Sequence, residues 1–201
     1  MRIETARLVI RTYEPRDAEC WIALAGDPDV RRFIPPGPPP TQEIFQNAMD
    51  RRHAMECERG YAMRAVDVKG TQTFIGQCGL QPVERSGPEI ELAYHFYKAS
   101  WNNGYATEAA VAVLADGFGR VGLERVIALV VPENIGSCRV AEKAGMRFER
   151  IANYYNMPGL KKYVAERASW NPMEPPPTRK NFVTAWNAGG GMIKPPVHGG
   201  T

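Results

Sequence analysis

The chain has 201 residues, 25 basic and 22 acidic, for a formal net charge of +3. That balance is too mild to point to a nucleic-acid partner. Apolar residues make up 44% of the chain, enough for a packed core and too many for a wholly disordered protein.

Apolar runs such as Val126–Val131 are only about six or seven residues long, so no transmembrane helix and no membrane partner are expected. Met1–Thr5 lacks the apolar stretch of a secretory signal. Cys20, Cys57, Cys78 and Cys138 lie far apart, and the three histidines have no ligand spacing. Neither a disulfide framework nor a metal site is expected, and the reading is of a cytoplasmic protein with free thiols.

In chain order, Arg7–Tyr13 alternates like a strand. Pro15 opens a helix with Ala18, Trp21, Ile22 and Ala25 on one face. Residues 34–41 contain five prolines, which remove backbone donors, and must form a loop. Thr41 is placed to cap a second helix bearing Ile44, Phe45, Ala48 and Met49. Tyr61–Asp67 and Thr73–Leu80 read as a hairpin turning at Lys69-Gly70. Gly87-Pro88 marks another turn, and Ile90–Tyr97 is the next strand.

Ala106, Ala110, Val113, Leu114, Phe118 and Val121 recur at helical spacing, so a helix is expected from about Gly104 to Arg120. Val126–Val131 reads as a strand covered on both faces, making residues 90–131 a strand–helix–strand crossover with a parallel pair. A short helix from about Gly136 to Ala144 ends at Gly145. Arg147–Tyr155 and Lys161–Trp170 are expected to pair around Pro158-Gly159. This gives one α/β (α+β) domain over residues 1–170. Residues 171–201, with six prolines and five glycines, read as a tail outside it. Phe182 and Trp186 are its apolar exceptions, suited to docking on the domain or on the partner subunit of a homodimer.

Two glycine-rich sites invite a phosphate. Gly117-Phe-Gly-Arg-Val-Gly122 matches a dinucleotide fingerprint, but it closes a helix instead of opening one, so it is read as a helix terminus. Strand 90–97 runs instead through Asn102 and Asn103 into Gly104-Tyr105-Ala106-Thr107, where a helix begins. Free N–H donors and a partial positive charge there suit a pyrophosphate, and Gly104 and Ala106 allow close approach.

The run Glu91-Leu-Ala-Tyr-His-Phe96, followed by Trp101-Asn-Asn-Gly-Tyr-Ala-Thr-Glu-Ala109, resembles the acyl-CoA motif of the GNAT superfamily of N-acetyltransferases. Within it, the RimJ/RimL-like ribosomal-protein N-terminal acetyltransferase branch is the nearest pattern. Asn134-Ile-Gly-Ser137 with Ala141-Glu-Lys-Ala-Gly-Met146 resembles the second motif in order and spacing, and the likeness spans about residues 3–170. Asn102 and Asn103 depart from the pattern by replacing a glycine and a cation, Ala93 replaces a common glycine, and Met146 a phenylalanine.

The resemblance implies a GNAT fold: a mixed central sheet with a splayed parallel strand pair and flanking helices. It implies acetyl-CoA as acetyl donor and a primary amine as acceptor, either a protein N-terminal α-amine or a small molecule. The Phe96 backbone and the amides of Asn102, Asn103, Gly104, Tyr105, Ala106 and Thr107 would hold the cofactor. An N–H near Tyr94 or Phe96 would polarise the thioester carbonyl. Asn134 suits both a pantetheine contact and a plain helix N-cap. The resemblance puts Ser137 where this branch has the proton donor to the departing thiolate, with Ala141 standing where many relatives have tyrosine; by its residue type alone, a first-turn serine more often satisfies the backbone, and Tyr154 and Tyr155 stay open as donors. Glu91 is the general base, by itself or through water, or else part of a solvent-facing polar alternation; His95, on the same strand face, ranks below it. A non-catalytic acyl-CoA-binding or interaction module of the same fold is the alternative.

Overall fold

The computed structural model describes residues 1–173; Phe182 and Trp186 lie outside them. The elements are β1 (Arg2–Glu4), β2 (Leu8–Arg11), α1 (Ala18–Gly26), α2 (Pro28–Arg31), α3 (Gln42–Arg59), β3 (Met63–Val68), β4 (Thr73–Pro82), β5 (Ile90–Phe96), α4 (Tyr105–Asp116), β6 (Arg125–Val130), α5 (Ile135–Lys143), β7 (Arg147–Tyr154) and β8 (Met157–Glu166). They form an eight-stranded sheet in the order β1-β2-β3-β4-β5-β6-β8-β7. Every pairing is antiparallel except β5 with β6.

Strand alternation sends side chains to opposite faces, and each face has its own core. Leu8, Ile10, Val66, Leu80 and Leu92 are buried with Ala110, Val113 and Leu114 of α4 and Cys138 and Ala141 of α5. On the other face Ala65 and Phe74 are buried with Tyr13 and with Trp21 and Leu24 of α1 and Phe45 and Met49 of α3. A buried ion-pair network ties this second face together. Arg11 Nε lies 2.6 Å from Asp67 Oδ2, and its NH2 lies 2.8 Å from Asp17 Oδ1.

The local signals explain most boundaries. Thr41 Oγ1 accepts from Ile44 N at 3.2 Å and starts α3. A 3-10 turn at Pro15–Asp17 precedes α1, held because Glu14 N donates to Asp17 Oδ2 at 2.8 Å. Gly145 ends α5 at φ +82°, the left-handed region that favours glycine. Gly117–Val121 closes the α4 segment as a π turn, so the fingerprint-like run is a helix terminus. The four cysteines are free thiols.

One turn differs from expectation. The β7–β8 hairpin turns at Tyr155-Asn156, not at Pro158-Gly159. Tyr155 and Asn156 have φ of 56° and 57°, the pair of positive angles that matches strand twist in a tight hairpin. Pro158 and Gly159 lie inside β8. At the end of the described chain Trp170 still packs on Phe118, ring centroids 5.3 Å apart, and donates to Ala144 O at 2.8 Å.

Candidate active site

The β5–β6 pairing is one rung long. Glu91 faces Ile127, and no further register pair exists between strands of seven and six residues. Beyond that rung the strands part. Tyr97 N donates to Ile75 O at 3.1 Å, which places odd-numbered residues of β5 in the bonded pairs with β4. By antiparallel alternation, the N–H and C=O of Tyr94 and Phe96 point toward the gap. Phe96 O is used there by Trp101 Nε1 at 2.8 Å. The amides of Tyr94 and Phe96 remain for a ligand.

The gap opens into a cavity of about 1570 Å³. Single-ligand pockets occupy roughly 300–1,000 Å³, so this one has room for two substrates. Every site residue expected from sequence lines it: Glu91, Tyr94, Phe96, Asn102, Asn103, Gly104, Tyr105, Ala106, Thr107, Asn134 and Ser137.

At one end lies the start of α4. Gly104 has φ +77° and Asn102 φ +60°. Asn102 therefore fills a left-handed position that asparagine tolerates better than most residues, and the departure from glycine costs little shape. The loop carbonyls are turned away from the cavity: Asn103 O accepts from Arg7 NH1 at 2.9 Å, and Gly104 O from Glu108 N at 3.0 Å. Arg7 is itself held by Glu108 Oε2 at 2.6 Å. Asn103 spends its side chain on Trp101 O at 2.9 Å, so it offers only its amide. Among the described residues, the amides of Asn102, Asn103, Gly104, Ala106 and Thr107 have no acceptor. Such a nest of donors fits a pyrophosphate.

Near the gap stands α5. Asn134 Oδ1 accepts from Ser137 N at 3.1 Å, so Asn134 is the N-cap. Ser137 Oγ lies 3.0 Å from Tyr94 Oη, which also donates to Ser137 O at 3.0 Å. The Ser137 side chain thus meets a hydroxyl, not the helix backbone. Burial pushes the Tyr94 phenol well above its ordinary range. The sequence motif points to Tyr94 for its backbone alone; strand parity, which sends residue 94 to the α5 face, is the signal for its side chain.

The opposite face of β5 carries Glu91 and His95. Glu91 is 6% exposed. Tyr155 Oη donates to its Oε2 at 2.6 Å and Gln81 Nε2 at 3.3 Å. Burial raises its carboxyl pKa, and the two hydrogen bonds pull it only partly back. Glu89, two residues earlier, meets Lys162 Nζ at 2.6 Å and Tyr154 Oη at 2.6 Å. There the two bonds and the ammonium's charge outweigh burial and lower the pKa. Tyr154 and Tyr155 both spend their protons on these carboxylates, which leaves Ser137 with Tyr94 as the hydroxyl pair on the cofactor face. Burial, aided by Arg52, pushes the His95 pKa down to about 4. Phe33, Ile34 and Pro35 bring the start of the proline loop into the cavity wall.

Residues 7–147 match the family model of the acetyltransferase (GNAT) domain. The chain belongs to the GNAT acetyltransferase family. It is 33% identical to YkkB of Bacillus subtilis over 181 residues, covering 85% of this chain and 97% of that one. It is 32% identical over 156 residues to YnaD, an uncharacterised N-acetyltransferase of the same organism, covering 74% and 84%. A GNAT-family acetyltransferase structure from Bacillus anthracis superposes with a TM-score of 0.69 at 30% identity, covering 84% of this chain and 99% of that one. A RimL ribosomal L7/L12 α-N-protein acetyltransferase, solved with coenzyme A, shares the fold with a TM-score of 0.69 at 14% identity, covering 83% and 98%. Among the described residues no group of His, Cys, Asp or Glu could hold a metal ion, and no helix is long and apolar enough to cross a membrane.

Proposed function

We propose that the protein is an acetyl-CoA-dependent N-acetyltransferase that delivers acetyl to a primary amine by direct attack on the thioester. The observation that carries this reading is the single β5–β6 rung, which leaves the Tyr94 and Phe96 amides unpaired in one cavity with the α4 amide nest. Asn102–Thr107 would bind the diphosphate, and the Phe96 amide the pantetheine arm. Bound acetyl-CoA supplies an acyl group already activated toward amines.

The chain's own groups do the rest. Glu91 removes the amine's proton; its raised pKa brings it nearer the range a base needs. The Tyr94 amide donates to the thioester oxygen, where negative charge grows during attack. Ser137, backed by Tyr94, gives a proton to the departing sulfur. The amine enters from the face that carries Phe33, Glu91 and His95.

A thiol-release assay with acetyl-CoA and a panel of peptides, polyamines and aminoglycosides tests this. Turnover on at least one amine is expected. A rise in melting temperature with acetyl-CoA, but no turnover on any amine, would favour the binding-module alternative.

A further inference from the structure

His95 is oriented by a buried chain of side chains that leaves its ring little freedom. Arg52 lies over the Tyr13 ring, 4.6 Å from its centroid. Both residues address Gln77: Tyr13 Oη is 2.7 Å and Arg52 NH2 is 3.1 Å from Gln77 Oε1. A guanidinium has donors only, so the amide oxygen must face it. The opposite flip would set an NH₂ group against Arg52. The amide's nitrogen is therefore the atom that meets His95 Nδ1, at 2.8 Å.

That contact settles the tautomer. Gln77 Nε2 can only donate, so His95 Nδ1 must accept, and in a neutral ring the proton then resides on Nε2. Protonating both nitrogens would point an N–H at the Gln77 NH₂. Burial and Arg52 oppose the cation as well. A ring in this state has no free lone pair facing outward, so His95 is a poor general base for a geometric reason. It is instead a fixed donor. Its Nε2 has no partner among the described residues, and the residue lines the cavity. It stands on the same strand face as Glu91, four residues along, or roughly 13 Å.

We infer that His95 determines acceptor specificity by donating a hydrogen bond from Nε2–H to an uncharged oxygen of an extended acceptor, such as a peptide carbonyl about three residues from its amine, with Gln77 as the positioning residue. The inference rests on the acetyl-transfer reading of the cavity. An extended peptide whose amine is directed at Glu91 would carry such an oxygen toward His95. An amine without one would leave the donor desolvated and unpaired, which is how a site built for a hydrogen bond rejects the analogue that lacks it.

Two measurements on the full-length chain test this. The first is a long-range ¹H–¹⁵N correlation spectrum of the histidine rings at neutral pH, which needs no activity. The Nε2–H tautomer is expected for His95 in the parent protein, and the Nδ1–H tautomer in Gln77→Glu, whose carboxylate would accept from the ring. An Nδ1–H tautomer or an imidazolium in the parent overturns the inference while leaving acetyl transfer intact.

The second compares kcat/KM for amino-acid amides, a tetrapeptide and alkylamines of matched length. His95→Phe and Gln77→Glu are expected to lose roughly tenfold or more on the tetrapeptide and little on the amides and the alkylamines, and His95→Gln to recover part of that loss. Equal losses on all amines would overturn the specificity role. A loss on the amides as large as that on the tetrapeptide contradicts this placement. No turnover with any amine would sink the acetyl-transfer reading, and this inference with it.

Discussion

The two faces of β5 are built for different work. Leu92, Tyr94 and Phe96 face α4 and α5, where the surroundings are apolar and the one polar side chain is a phenol bonded to Ser137. Glu91 and His95 face the other way, where each finds neutral hydrogen-bond partners from distant parts of the chain: Tyr155 and Gln81 for one, Gln77 for the other. On the proposed reading, one strand thus presents cofactor chemistry on one side and acceptor chemistry on the other. Glu89 sharpens the contrast. It sits two residues from Glu91 yet meets an ammonium, and the two carboxyl groups shift in opposite directions. An adjacent cation makes a structural carboxylate; burial without one makes a candidate base.

The strongest way to break the cofactor side alone is Gly104→Trp. A bulky side chain at φ +77° is strained and would occupy the anion nest. Loss of measurable acetyl-CoA binding by calorimetry is expected with the circular dichroism spectrum retained; unchanged affinity would remove the nest from the site.

The acceptor side breaks next. Glu91→Gln should lower kcat/KM by about 10²-fold or more with acetyl-CoA affinity nearly unchanged. The pH profile gives the sign. Glu91 works deprotonated, and its folded pKa lies above the ordinary 4.5, so the parent rate should fall as pH drops through that raised value. The variant should lack this limb. Glu89→Gln should leave the rate within a few-fold while costing about 2 kcal/mol in denaturant unfolding, because Lys162 loses its nearest anion. A larger rate loss for Glu89→Gln than for Glu91→Gln would reverse the assignment.

Among the residues proposed to act in catalysis, the smallest effect is expected where the cofactor face meets the leaving group. Ser137→Ala should reduce kcat about tenfold and Tyr94→Phe somewhat less, with both removing the same step. A double variant no slower than Ser137→Ala alone would show that the two hydroxyls act as one unit.

Much of this layout was legible in the residues. Alternation located β5, the 3.6-residue spacing located α4, and Gly104 with its small neighbours marked the turn between them. Partners across the sheet were not legible. Tyr155 reaches Glu91 from 64 positions away, and Gln77 meets His95 only because β4 and β5 pair in one register. The β7–β8 turn misled for a local reason: Pro158-Gly159 carries the stronger turn signal, yet Tyr155-Asn156 accepted two positive φ angles. The short β1 and α2 bury too few residues to leave a periodic pattern.

The lone rung between Glu91 and Ile127 has a mechanical meaning as well. In backbone pairing the sheet is two panels joined at a single rung, and the carboxylate that would serve as base is mounted on it. Rotation of one panel against the other would swing Phe96 through the widest arc and move Glu91 least. The proton acceptor would thus keep its place while the walls around the coenzyme breathe.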